Sequence, residues 1–220
     1  MIRNISIALL ALSTMICGLA EAEKAPKEER EVRRIEQTYF AGEVDKIEID
    51  VTLAGLSVEG VPGSRHAEVE VILLCSRASD EKCRRRAERI RLAPRIRGKK
   101  LALRVKGTPR GQAGGIEAQM KIKIPAEDEL EIDMGGGEVS IRGMRNDVEL
   151  DSGGGNIDYF GEQDLIGTFK VDVGFGKGTL WLREGSIEAS GWPRSINWNG
   201  TGTSKVEIDL GGGEIKARLD

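Results

Sequence analysis

The chain has 220 residues, of which 33 are basic and 36 acidic, with one histidine and a formal net charge of −3. Such a balance lacks the basic excess of a nucleic-acid footprint, so no nucleic-acid partner is expected. The 29 glycines, against four Phe, two Tyr and three Trp, require many tight turns and a core built from Ile, Leu and Val.

The opening, MIRNISIALLALSTMICGLAEAEK, has one Arg, an apolar run from Ile5 to Leu19 and small residues at Ala20 and Ala22. This is the layout of a secretory signal peptide over residues 1–22, with Ala20-Glu21-Ala22 meeting the small-x-small cleavage rule. The run falls short of the roughly 20 residues of a membrane span. Cys17 closes it, but Ile16 is bulky where lipoprotein processing takes a small residue. The expectation is an exported protein, periplasmic or at the cell surface, with at most peripheral membrane attachment. Residues 23–34, EKAPKEEREVRR, are charged and poor in large apolar side chains, which predicts a mobile lead-in. Residues 35–220 suit a single domain.

Within that domain, KIEIDVTLAGLSVEG (46–60) gives two short strands around a turn. AEVEVILL (67–74), KKLALRV (99–105) and IEAQMKIKIP (116–125) also have the composition of strands. Between the first two of these, Cys83, Ala87 and Ile90 fall at helical spacing. Ser79 or Asp80 is the candidate N-cap and Pro94 the expected stop. Cys75 and Cys83 make an even pair in an exported chain; a disulfide is expected, with two buried thiols as the alternative. The helix arginines form a solvated face, with an anion or acidic-lipid site as the sharper alternative. TPRGQAGG (108–115) is a predicted flexible loop.

From residue 130 onward one phrase repeats. LEIDMGGGEVSIRG, VELDSGGGNIDYF, FKVDVGFGKGTLWL and VEIDLGGGEIKARL place Asp133, Asp151, Asp172 and Asp209 at equivalent positions. The intervals are 18, 21 and 37 residues. Ser190, in SIEASGWPRSINWNG, divides the last interval as a degenerate copy, and Asp50 begins an earlier one. One residue before each Asp, and six and eight after it, the side chains are mostly apolar. That alternation marks half-buried strands on either side of a glycine turn. The Asp accepts backbone N–H bonds in the turn, and glycine allows the reversal. A repeat of about 20 residues predicts an all-β fold, a β-solenoid-like stack with one short helix inserted. A run of antiparallel hairpins is the competing arrangement.

The order of these parts resembles the exported bacterial putative-adhesin domain of unknown function, or toastrack domain. The relevant parts are a signal peptide, an IEID strand with VEG, AEVEV, a charged helix, LALRV, MKIKIP and then ELEIDMGGGEVSIRG units. That domain is similar to the head domains of putative autotransporter adhesins. The resemblance covers roughly residues 35–220. It implies an envelope or surface role and brings no catalytic residues. The cysteine pair and Ser190 depart from it.

Three candidate sites follow from the repeat. Asp133, Asp151, Asp172 and Asp209 should form an acidic column on the solvent side, with Ca²⁺ as the ion such oxygens would take; turn capping is the plainer reading. Nine residues after each origin lie Arg142, Phe160, Trp181, Asn199 and Arg218. Their outward parity gives an aromatic column that could stack on sugar rings or meet a protein. Trp192 lies near enough to enlarge it. Catalysis has little to build on: the single His66 lies in a turn, and no nucleophile stands beside a base. The expected function is a non-catalytic, adhesin-like binding or scaffolding module with no cofactor, whose partner is an envelope protein or a surface glycan. The alternatives are a polysaccharide-active β-helix enzyme or a structural protein. The structural protein would self-associate through an uncapped last rung at IKARLD.

Overall fold

The structure, a computed structural model, describes residues 30–52, 54–75, 81–107, 115–189 and 194–220. The expected signal peptide, Ser79 and Asp80, most of the 108–115 loop, Ser190 and Trp192 lie outside them. The described chain is all-β apart from one short helix and one 3₁₀ turn, and its strands join in a single sheet. In order they are β1 (Arg30–Phe40), β2 (Lys46–Val51), β3 (Ala54–Val61) and β4 (His66–Cys75), then helix α1 (Glu81–Ala87). Next come β5 (Arg91–Arg97), β6 (Lys100–Lys106), β7 (Ile116–Pro125), β8 (Glu129–Met134), β9 (Gly137–Arg142), β10 (Val148–Ser152) and β11 (Gly155–Gly161). After the 3₁₀ turn Gln163–Leu165 follow β12 (Ile166–Leu182), β13 (Gly185–Glu188), β14 (Arg194–Asn199) and β15 (Ser204–Leu219).

The sheet has two ladders. In the first, β6, β2, β8, β10, the first half of β15 and the first half of β12 lie side by side, all parallel. In the second, β7, β3, β9, β11 and the second halves of β15 and β12 do the same. The glycine turns join the two halves of each copy. Antiparallel strands close every end: β5 on β6, β4 and β1 beyond β7, and β14 and β13 on the two halves of β12. The repeated phrases therefore pair with one another, Asp beside Asp, which is why their register is constant.

Alternate residues of both ladders point into one core. Ile47, Ile49, Leu130, Ile132, Leu150, Val171 and Ile208 come from the first ladder, and Leu56, Val58, Met120, Ile141, Ile157, Tyr159 and Leu180 from the second. Burying each large side chain contributes roughly 1.5–3 kcal/mol. Tyr159 meets Phe169 edge to face at 5.6 Å.

Three expectations change. The strand β1 starts at Arg30, so residues 30–34 of the expected lead-in are ladder. The helix ends at Ala87, not at Pro94, which lies within the edge strand β5, where a missing N–H costs no ladder bond. Ile90 is nonetheless buried beside the helix, as its spacing predicts. Most consequentially, β15 is not a terminal rung: it lies between β10 and β11 on one side and β12 on the other. The uncapped end invoked for self-association is thus an internal strand paired along both sides. Chain order is not the order of strands in the sheet, because the chain builds β12 first and returns to fill the gap.

The disulfide joins Cys75 at the end of β4 to Cys83 in α1, with Cα atoms 6.2 Å apart. Arg33 of β1 holds the other end of the helix. Its Nη1 donates to the carbonyls of Ala87, Glu88 and Ile90 at 2.8, 2.9 and 2.8 Å, satisfying acceptors that a helix end leaves orphaned.

Candidate functional site

The outer side of the first ladder carries two acidic files. Register sets Asp50, Asp133, Asp151, Asp209 and Asp172 side by side in that order, with Arg104 beyond Asp50 and Ser195 beyond Asp172. Two residues earlier run Glu48, Glu131, Glu149, Glu207 and Lys170. Neighbours about 4.8 Å apart with like charge repel, and the ends of the files are where cations gather. Lys100 lies 2.8 Å from Glu48, and Arg104 lies 3.1 Å from Glu48 and 3.3 Å from Asp50. Lys46 bridges Glu129 and Glu131 at 2.6 and 2.8 Å, and Lys205 meets Glu207 at 2.7 Å.

Within the Asp file the two last members differ. The Ser195 hydroxyl, which donates to Asp172 Oδ1 at 2.5 Å, and then Lys170, at 2.9 Å, hold the Asp172 carboxyl below its usual range. Burial, with Asp151 and Asp172 adding repulsion, pushes Asp209 up. The four expected Asp side chains line one shallow groove of about 360 Å³ with Gly153, Gly174 and Gly211. They stand in a file and do not surround a point: among the described residues, no group of three or more His, Cys, Asp or Glu is arranged to hold a metal ion.

The outer side of the second ladder carries the aromatic row, in an order the sequence did not reveal. It runs Glu59, Arg142, Phe160, Arg218, Trp181. Because β15 is inserted, Arg218 separates Phe160 from Trp181, which neighbour each other only in chain order. Arg142 reaches Glu59 at 3.2 Å, and the Arg218 guanidinium stands 6.0 Å from the Trp181 ring centre, within cation–π reach. Phe160 is 42% exposed and Trp181 half-buried. Asn199 is not in the row. It lies on β14 opposite Thr168, in the other ladder, because β14 runs antiparallel and counting forward from Ser190 no longer tracks position.

Sequence reasoning missed two features. Phe175 occupies the middle position of its turn, beside Gly212, and is 73% exposed; a break in the glycine run was its signal. The strand β5 was missed because Pro94 resembles a helix stop, although RLAPRIR continues into a hairpin with KLALRVK.

No protein-family model and no curated protein sequence matches this chain. Among solved structures, it is similar to a putative cell adhesion protein from Clostridium sporogenes, with 13% identity and a TM-score of 0.49, covering 86% of this chain and 100% of that one. It is also similar to a putative lipid binding protein from Parabacteroides distasonis (13% identity, TM-score 0.30), with 84% of this chain and 62% of that one covered. A third is a putative adhesin from Parabacteroides merdae (8% identity, TM-score 0.24), with 85% and 78% covered. Neighbours described as adhesin and cell-adhesion proteins are what the resemblance to the putative-adhesin domain implies.

Proposed function

We propose that the protein is an exported, non-catalytic binding module of the bacterial envelope, a solenoid-like stack whose contact face is the row Arg142–Phe160–Arg218–Trp181. The observation that carries this is the alternation of guanidinium and aromatic ring along four adjacent strands. Parallel pairing on both sides of β11 and β15 holds the row rigid, so little ordering entropy is spent on contact. Alternating rings and cations suit the faces of sugars and the aromatic or acidic side chains of a protein. The disulfide supports an oxidising compartment, in agreement with the signal-peptide pattern.

The test is photo-crosslinking in cells from position 181, with an exposed position on the first ladder as control. Capture of one envelope protein or one glycan class from 181 alone, reduced by Arg218→Ala, is expected. The same capture from both positions would overturn the assignment of the face.

A further inference from the structure

Residues 81–107 hold twelve Lys and Arg against two Glu, in a chain whose net charge is −3. Half of those cations meet on one surface. The strands β5 and β6 pair antiparallel with Arg91 opposite Lys106, Ala93 opposite Arg104, Arg95 opposite Ala102 and Arg97 opposite Lys100. All eight side chains share the outer face, since Leu92, Leu101 and Leu103 of opposite parity are buried. Two like-charged pairs thus lie directly across from each other, an arrangement that costs stability unless a counter-charge is supplied. Glu48 and Asp50 supply it for Lys100 and Arg104. Among the described residues Arg91, Arg95, Arg97 and Lys106 have no acidic partner. Between the cations the two alanines leave a groove of about 540 Å³, floored by Ala93, Pro94 and Ala102.

We propose that this groove is a second binding surface, independent of the aromatic row, and that its ligand is a linear acidic polysaccharide lying along the β5–β6 hairpin. A run of seven residues spans roughly 20 Å, enough for several sugar units with carboxylates at regular intervals. Guanidinium groups match carboxylates in two-point geometry. A flat anionic membrane fits less well. The same face continues through Glu48, Asp50, Glu131 and Asp133 into the acidic files, which would be pressed against the lipid headgroups and repelled. A narrow chain occupies the edge hairpin without touching them. Charge on an edge strand also guards against strand addition, but that role needs neither the cations of β6 nor a groove between the two strands.

The experiment measures binding of polygalacturonate to the whole protein, with uncharged dextran and phosphatidylglycerol vesicles in parallel. Binding of polygalacturonate alone is expected, weakening as salt rises from about 0.05 to about 0.5 M. The double substitution Arg95→Glu with Arg97→Glu, at exposed positions without an acidic partner among the described residues, should weaken it about tenfold or more, while Arg95→Lys with Arg97→Lys retains most of it. Lys123→Glu, at an exposed position of β7 on the other ladder and outside the aromatic row, should leave it unchanged. Equal binding by the Glu variant, binding to vesicles in preference to the polysaccharide, or no binding at low salt would overturn the proposal. Salt-sensitive self-association abolished by the Glu variant, without polysaccharide uptake, would overturn it in favour of a second copy's acidic files.

Discussion

At Gly155, with φ +126°, an added Cβ would stand 1.8 Å from the Gly137 carbonyl oxygen; at Gly213, with φ +138°, it would stand 1.7 Å from that of Gly155. The third glycine of each run is therefore fixed twice, by its backbone angle and by the next strand. The middle position is not: a Cβ at Gly212 meets nothing nearer than 3.6 Å, and the neighbouring copy carries Phe175 there. Gly155→Ala should accordingly cost more than about 3 kcal/mol or prevent folding, and Gly212→Ala less than about 1 kcal/mol. Urea unfolding of both variants checks this, and equal losses would contradict it. A different residue governs pH. Asp128, in the turn from β7 to β8, has Oδ2 buried without a hydrogen-bond partner among the described residues. Burial, then Asp45 and Glu127, push its pKa from 3.8 up to about 6. A folded-state value above the unfolded one means that the native state holds the proton more tightly. This group therefore adds stability as pH falls from above 6 toward 4 and burdens the fold at higher pH. Asp128→Asn should be more stable than the parent at pH 7.5 by about 1 kcal/mol after allowance for solvent screening. That advantage should vanish near pH 4 in paired thermal melts.

Elements differ in how openly the sequence announces them. Strands buried on one side and flanked by glycine turns, such as β8 to β11, are visible because core and solvent positions alternate without interruption. The strand β1 is an edge, and its inward positions include Arg33 and Gln37 beside Ile35 and Tyr39, with a register shift between Glu31 and Arg33. No apolar period survives that mixture, so it passes for a charged tail. The helix α1 was visible from Cys83, Ala87 and Ile90, but at seven residues it is too short to persist on intrinsic propensity alone. It is held from outside, by the disulfide to β4 and by Arg33. The substitution Arg33→Met should leave the ladders intact while releasing the helix C-terminus, with a loss of about 1–2 kcal/mol. Hydrogen exchange should show faster amides in 84–90 and unchanged ones in β8 to β11; protection lost throughout would mean that the clamp supports the whole fold. Of the candidate site, the Asp file was legible because equivalent positions pair in register. The neighbours of Trp181 were not, since lateral order is set by where a returning strand fits, which periodicity does not encode.

The whole molecule has its charges sorted, with the basic hairpin at one end of the first ladder and acidic files across the rest of that face. Repeat spacing made the parallel register of the paired strands legible, but not the insertion of β15, whose contacts are all with strands distant in sequence. That insertion makes the two stretches of parallel strand on either side depend on one later segment. A chain ending at residue 203 should fail to unfold cooperatively, and a separate peptide of residues 204–219 should restore the transition with a Tm that rises with peptide concentration. Absence of any rescue would mean that β15 contributes less to the sheet than its pairing implies. The same placement sets a clock. While the polypeptide is still being synthesised, the slot for β15 stands empty, with open edges facing each other across a gap of one strand. Early segments must wait for a late one, so completion is delayed by the time taken to deliver the 58 residues from the end of β11 to the end of β15, and refolding should belong to the slow class governed by distant contacts. During that interval, the equivalent strand of another nascent copy matches the slot residue for residue, and exchange of β15 between chains is the misassembly that crowding of nascent chains should favour.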